Sequence, residues 1–247
     1  MKEREYQKMY ETESSFWWFV GKGLLLAELA RAWLPEEGTF LDTGCGTGAN
    51  LDRLSGRGKW TGADVSPHAA SFCARRGHPY LVMSEACRLP FEDGSFDGAV
   101  ALDLFEHLRE DGKAVAELLR CLRPGGRLLV TVPACPFLWS SHDVAMGHVR
   151  RYSRPALISL LSDAGFIILK ITNFLGLLFP PMLAGRVLQK LGGDPTDTIS
   201  YEWPDFLNRF LTSVIRLELL WLRRFGMPWG TTLVAVCEKP LTPSIEC

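Results

Sequence analysis

The chain predicts an α/β fold, a mostly parallel sheet with helices on both faces, and three observations predict it. Short apolar runs alternate with helical patterns from about residue 36 to 175, the order that crossover connections turn into a parallel sheet. The early runs end in an acid followed by turn residues, at Asp42-Thr43-Gly44-Cys45-Gly46-Thr47-Gly48 and Asp64-Val65-Ser66-Pro67, so polar groups gather at the carboxyl ends of the strands, where ligands of such sheets bind. With 247 residues, 47% hydrophobic and 22% charged, the chain can bury a full core.

Residues 1 to 35 read as an N-terminal helical cap. Its helix over 21 to 34 carries Leu24, Leu25, Leu29 and Trp33 on one stripe. Strands are expected near 38 to 43, 59 to 64, 79 to 83, 96 to 102, 127 to 133, 166 to 173 and 230 to 238. Leu122-Arg123-Pro124-Gly125-Gly126-Arg127 stops a helix ahead of the fifth strand. A helix over 154 to 165 precedes the sixth. The core domain thus spans 36 to 174 and 229 to 240, and 175 to 228 is a helical insertion or lid. Within it, 205 to 225 reads as a long amphipathic helix, with Leu207, Phe210, Leu211, Val214, Leu217 and Trp221 on one side and Arg209, Arg216 and Arg223 on another. Such a helix suits packing on its own domain, a partner helix in a homodimer, or peripheral contact with a membrane surface.

The glycine turn carries the most chemistry. Glycines at 44, 46 and 48 let a buried strand turn tightly into a helix while a ligand lies against bare backbone. Asp64, 20 residues past Gly44, falls at the tip of the next strand, where its oxygens can accept both hydroxyls of a ribose, or cap the following helix. Then come Leu89-Pro90-Phe91 in a turn-rich loop and Leu122-x-Pro124-Gly125-Gly126.

Together these motifs resemble the class I S-adenosylmethionine-dependent methyltransferases, the broad small-molecule group with an Asp-x-Gly-x-Gly-x-Gly loop, a Leu-Pro-Phe loop and a Leu-x-Pro-Gly-Gly turn. The resemblance covers about 36 to 175 and 229 to 240. It implies a Rossmann-like seven-stranded sheet whose last strand is antiparallel, and S-adenosyl-L-methionine as cofactor. It further implies Gly44, Gly46 and Gly48 against the methionine and ribose, Asp42 near the amino group, Asp64 on the ribose, and Glu85 and Ala86 beside the adenine. Glu85 departs from the aspartate usual there. Cys45, Val65 and Asp103 complete the candidate cofactor wall by position. A nicotinamide-dependent oxidoreductase would share the turn and the ribose acid, but Asp42 would repel a pyrophosphate and no Tyr-x-x-x-Lys pair is present. A module that binds the cofactor without turnover is a third reading.

Methyl transfer to oxygen needs alignment and a base. Two polar clusters follow strands. Asp103, Glu106 and His107 resemble in spacing the Glu-x-x-Glu-His of ubiquinone-pathway O-methyltransferases and form a candidate divalent-cation (Mg) site, or else cap a helix. His142, Asp143 and His148 offer imidazoles beside a carboxylate, the candidate catalytic base. Arg150 and Arg151, with Tyr152, suit an anionic acceptor, or cap the following helix. Trp18 and Trp139, in the aromatic runs 16 to 19 and 136 to 139, are candidates for a greasy acceptor pocket or for plain core packing.

With 27 basic and 28 acidic residues and no basic run, nucleic acid is not an expected partner; a small or lipid-linked organic acceptor is. Seven cysteines without paired spacing read as thiols, with Cys45 and Cys135 as packing residues. The charged opening and the lack of a long apolar run lead to an expectation of a cytoplasmic protein, with or without peripheral membrane contact.

Overall fold

The computed structural model describes residues 3–192 and 203–241. Two helices open the chain, α1 (Glu3–Thr12) and α2 (Trp17–Trp33), followed by β1 (Thr39–Thr43), α3 (Ala49–Leu54), β2 (Lys59–Asp64), α4 (Pro67–Arg75), β3 (Leu81–Met83) and β4 (Phe96–Leu102). After a 3-10 turn at Phe105–His107 come α5 (Asp111–Cys121), β5 (Leu122–Pro133), α6 (Ser141–Met146), α7 (Arg154–Asp163), β6 (Ile167–Phe174), α8 (Phe179–Gly192), α9 (Asp205–Leu222) and β7 (Thr232–Glu238).

The strands form one seven-stranded sheet in the order β3-β2-β1-β4-β5-β7-β6. The first five are parallel, while β7 runs antiparallel to both β5 and β6, as the resemblance implied. Alternate residues feed cores on the two faces. Phe40, Val100, Leu129 and Val236 pack with Leu25, Leu26 and Ile215, whereas Leu41, Ala99, Val130 and Ala235 pack with Val115, Leu118 and Leu157. Because both faces are covered, the central strands read as nearly unbroken apolar runs.

Three expectations are corrected. α2 starts at Trp17, not 21, because the Asn208 side chain accepts the Trp17 N–H at 3.1 Å, a cap supplied from far along the chain. β5 starts at Leu122, not 127: Leu122 pairs with Phe96, and the ladder then jumps to Arg127 opposite Gly98, so the Pro-Gly-Gly turn is a bulge inside the strand. On α9 the buried side is Asn208, Ile215, Glu218, Leu219 and Leu222. Phe210, Leu217 and Trp221 face outward instead. Two buried polar groups dictate that choice, since Asn208 caps α2 and Glu218 accepts the N–H groups of Gly176 and Leu177, both at 3.0 Å. A Cβ at Gly21 would sit 2.4 Å from Ile215 Cδ1, so only glycine lets α2 and α9 meet this closely. No helix among the described residues is long and apolar enough to cross a membrane.

Candidate functional site

A cavity of about 500 Å³ opens at the carboxyl ends of the parallel strands. At one end lies the glycine turn. Gly44, Gly46 and Gly48 all have positive φ, at 75°, 55° and 83°. A Cβ at Gly44 would press on Leu104 and one at Gly48 on Cys73 and His78, whereas at Gly46 only Met9 Cε comes near, at 3.4 Å. Gly46 is therefore the bare floor of the cradle, and its neighbours are glycines for packing and turn geometry.

Asp64 lines the same wall. Its carboxylate accepts the Gly46 N–H at 3.0 Å and the Ser66 N–H at 2.9 Å, joining the tip of β2 to the glycine turn. Asp42, at the tip of β1, is wholly buried and not part of the cavity wall, and neither carboxylate oxygen has a partner among the described residues. Burial, with the charge of Asp64 added, pushes its pKa up to about 7. Such an orphaned acid is costly unless a donor or cation meets it. The open floor at Gly46, the ribose-competent Asp64 and the unmet Asp42 suit a ligand carrying a cationic amine and a sugar.

Cys45 lines the wall as well, its thiol 3.9 Å from that of Cys73, and Val65 flanks the opening. Cys135 is half-buried with its thiol 3.6 Å from the Gly230 carbonyl. Glu85 is exposed and Ala86 buried, and neither is part of the cavity wall.

The N-terminal helices supply residues that the motifs did not reveal. Tyr6, Met9 and Glu13 reach the wall from α1 and the turn after it. Glu13, nearly fully buried, accepts from Thr47 Oγ1 in the glycine turn and pairs with Arg76, while Arg53 donates to its carbonyl at 3.0 Å. The spacing Tyr6, Met9, Glu13 is the helical stripe that signals this role. Lys22 of α2 pairs with Asp103 at 2.8 Å and lies 5.2 Å from the Trp18 ring centre. It is the one charge in the apolar stretch from Phe16 to Ala27, a pattern that marks a lysine turned inward to an acid.

At the far end the two polar clusters merge. His107 and His148 stack edge to face, 4.9 Å between ring centres. His148 Nδ1 lies 2.9 Å from Asp143 Oδ1, which also accepts Arg151 Nε at 2.7 Å, and Oδ2 accepts the Ser140 N–H at 3.0 Å. Burial alone would raise the Asp143 pKa, but the bonds from His148 and Arg151 outweigh it and hold the carboxyl below the usual range. Because a carboxylate only accepts, Nδ1 of His148 carries the proton and Nε2 is left to accept one. Glu106 is wholly buried, both its oxygens without a partner among the described residues, and burial together with the charge of Asp103 raises its pKa well above the carboxylate range. Burial, then the neighbouring His148, lowers that of His107. His142 completes this wall.

Other expectations are corrected here. Arg150 and Tyr152 lie outside the cavity, both bonded to Asp111 at 2.8 and 2.6 Å. Arg151 lines the cavity, but it is spent on Asp143 and the Ala134 carbonyl. None of the three is free to grip an anionic acceptor, and the cap of α7 is Ser153. Leu138, not Trp139, reaches the wall, whereas Trp18 does line it. The trio Asp103, Glu106 and His107 is not assembled, since Asp103 is taken by Lys22. The ligand atoms that converge, within 4.8 Å of one another, belong to Glu106, His107 and His148. Two imidazoles and one carboxylate are a poor match to magnesium, which prefers oxygen ligands. Nor does Glu106 cap the 3-10 turn, which has no side-chain cap.

Residues 41–130 match the family model of a methyltransferase domain. Over 159 residues the chain is 32% identical to the O-methyltransferase cnsE of Penicillium expansum, covering 56% of each chain. It is 30% identical over 155 residues to a probable S-adenosylmethionine-dependent methyltransferase of Mycobacterium tuberculosis, covering 61% of this chain and 56% of that one. The chain thus spans about half the length of the curated relatives it matches. Among solved structures, a methyltransferase of Thermotoga maritima, described as a possible histamine N-methyltransferase, superimposes with TM-score 0.63 at 20% identity, covering 96% of this chain and 95% of that one. The [4+2]-cyclase SpnF superimposes with TM-score 0.58 at 24% identity, covering 89% and 81%. The fold therefore fixes the cradle and not the reaction. The matched domain, the strand order and the relatives together identify a class I S-adenosylmethionine-dependent methyltransferase domain in this part of the chain.

Proposed function

We propose that the protein transfers a methyl group from S-adenosylmethionine to an oxygen of a small or lipid-linked organic acceptor, with His148, held by Asp143, as general base. One observation carries this reading: a single cavity is lined by Gly46 and Asp64 at one end and by His148 at the other. When bound, S-adenosylmethionine supplies an electrophilic methyl group on a sulfonium. Gly46 admits it against the backbone, with Gly44 and Gly48 holding the turn, Asp64 accepts from its ribose, and Asp42 balances its ammonium. Asp143 and Arg151 fix the imidazole of His148 in one tautomer, and its Nε2 takes the acceptor's proton. Trp18, Leu138 and Met182 give that end an apolar wall, which excludes water and fits an organic acceptor. The relatives named as O-methyltransferases, from Penicillium expansum and Pyrenophora dematioidea, support oxygen as the target.

The test is incubation of the purified protein with methyl-labelled S-adenosylmethionine and lipid and metabolite extracts. An O-methylated product that forms with the wild type and not with His148→Ala is expected. Binding of the cofactor with no labelled product would instead mark the chain as a module without turnover.

A further inference from the structure

We propose that the outward face of α9 docks the protein on an anionic lipid surface. The inner face of this helix is fixed by Gly21 packing, by the Asn208 cap and by the buried Glu218, so its rotation about its own axis is set. What this leaves in solvent is not a polar face. Phe206 is 73% exposed, Phe210 61%, Leu217 62%, Leu220 55% and Trp221 51%. At 100° per residue these five side chains fall within about 100° of arc, one continuous stripe along the helix. Beyond it the patch continues through Phe225, half exposed and 4.7 Å from Trp221 between ring centres. Monomeric proteins rarely leave such a contiguous patch bare.

The charges beside the stripe select its occupant. Arg209, Arg216 and Arg223 recur along one flank and Arg224 falls in line with the stripe, all exposed. Arg223 is tied to Glu28, while Arg209, Arg216 and Arg224 form no ion pair among the described residues. Asp205 is the one exposed acid of α9. An aromatic and leucine stripe bordered by unneutralised arginines matches the boundary between acyl chains and anionic headgroups. A second copy of this chain laid antiparallel on the same stripe would bring the two arginine flanks together with only Asp205 of each helix to offset them.

The test is flotation of the full chain with vesicles of phosphatidylglycerol and of phosphatidylcholine at low salt, read without reference to methyl transfer. The wild type is expected to float with the anionic vesicles, to bind phosphatidylcholine at least tenfold more weakly, and to be released as salt rises. The double variant Phe210→Glu, Leu217→Glu is expected to lose binding by at least tenfold. Reversing Arg209 and Arg216 to glutamate is expected to cost at least about 25-fold, roughly fivefold for each charge. These positions are exposed, so unchanged thermal melting and cofactor titration confirm that the variants fold. The proposal is overturned if the wild type fails to float with phosphatidylglycerol, if the variants float as well as it does, or if the stripe proves to hold a dimer that Phe210→Glu, Leu217→Glu splits while vesicles bind neither form.

Discussion

The two ends of the cavity are built in opposite ways. The glycine-turn end, where we place the cofactor, comes from adjacent strands β1 and β2 and the turns that leave them, and Asp64 there is held by backbone N–H groups at 3.0 and 2.9 Å. The other end is assembled from α2, the link after β4 and the loop after β5, and its acids are held mainly by side chains, Asp103 by Lys22 and Asp143 by His148 and Arg151, with one backbone N–H, that of Ser140, added on Asp143. Each end keeps one buried acid unmet, Asp42 and Glu106. A backbone cradle gives fixed geometry for a ligand that does not vary, whereas side-chain pairing lets charge be tuned where a proton has to move. Substitutions should therefore separate affinity at one end from turnover at the other.

The largest effect is expected at the reactive end. His148→Ala should lower kcat by roughly 10²- to 10⁴-fold while calorimetry finds cofactor affinity unchanged; an unaltered kcat would remove the base. Next, Asp64→Ala should weaken cofactor binding by about 10- to 100-fold, the scale of a hydrogen bond to a charged group, and it should leave the acceptor's KM alone.

Asp42 sharpens the contrast through pH. With its pKa near 7 in the fold and about 3.9 in the unfolded chain, the folded state holds a proton that the unfolded state releases between those values. Stability of the ligand-free protein should therefore fall as pH rises through that window, by up to about 4 kcal/mol. Asp42→Asn should abolish this slope and raise Tm at pH 8 by about 5–10 °C, yet weaken cofactor binding. In the wild type, affinity for the cationic cofactor should rise from pH 6 to pH 8. A flat Tm profile in the wild type would show that Asp42 has a partner.

The smallest effect belongs to Arg150. Because it faces Asp111 outside the cavity and is partly exposed, Arg150→Ala should change the acceptor's KM by less than about twofold and stability by less than about 1 kcal/mol. A large rise in KM would restore it to the acceptor site.

The same contrast explains what the sequence revealed. The inner strands were legible because sheet burial on both faces leaves apolar runs, the half-exposed edge strands β3 and β6 because they are short apolar runs between turns, and the glycine turn because positive φ at three positions demands glycine. The merger of Glu106 and His107 with His148 was not, since it depends on how two loops from different strands meet. Arg150 and Tyr152 read as available donors only until Asp111 is placed between them. The outward turn of Phe210, Leu217 and Trp221 was hidden for a related reason. Periodicity locates an apolar stripe, but Asn208 and Glu218 decide which side of the helix is buried.

The most direct test of the two-ended cavity is calorimetric titration of S-adenosylmethionine into the wild type, Asp64→Ala and His148→Ala. The account predicts saturable binding to the wild type, the same affinity in His148→Ala, and a loss of at least tenfold in Asp64→Ala. No binding to the wild type, or equal losses in the two variants, would contradict it.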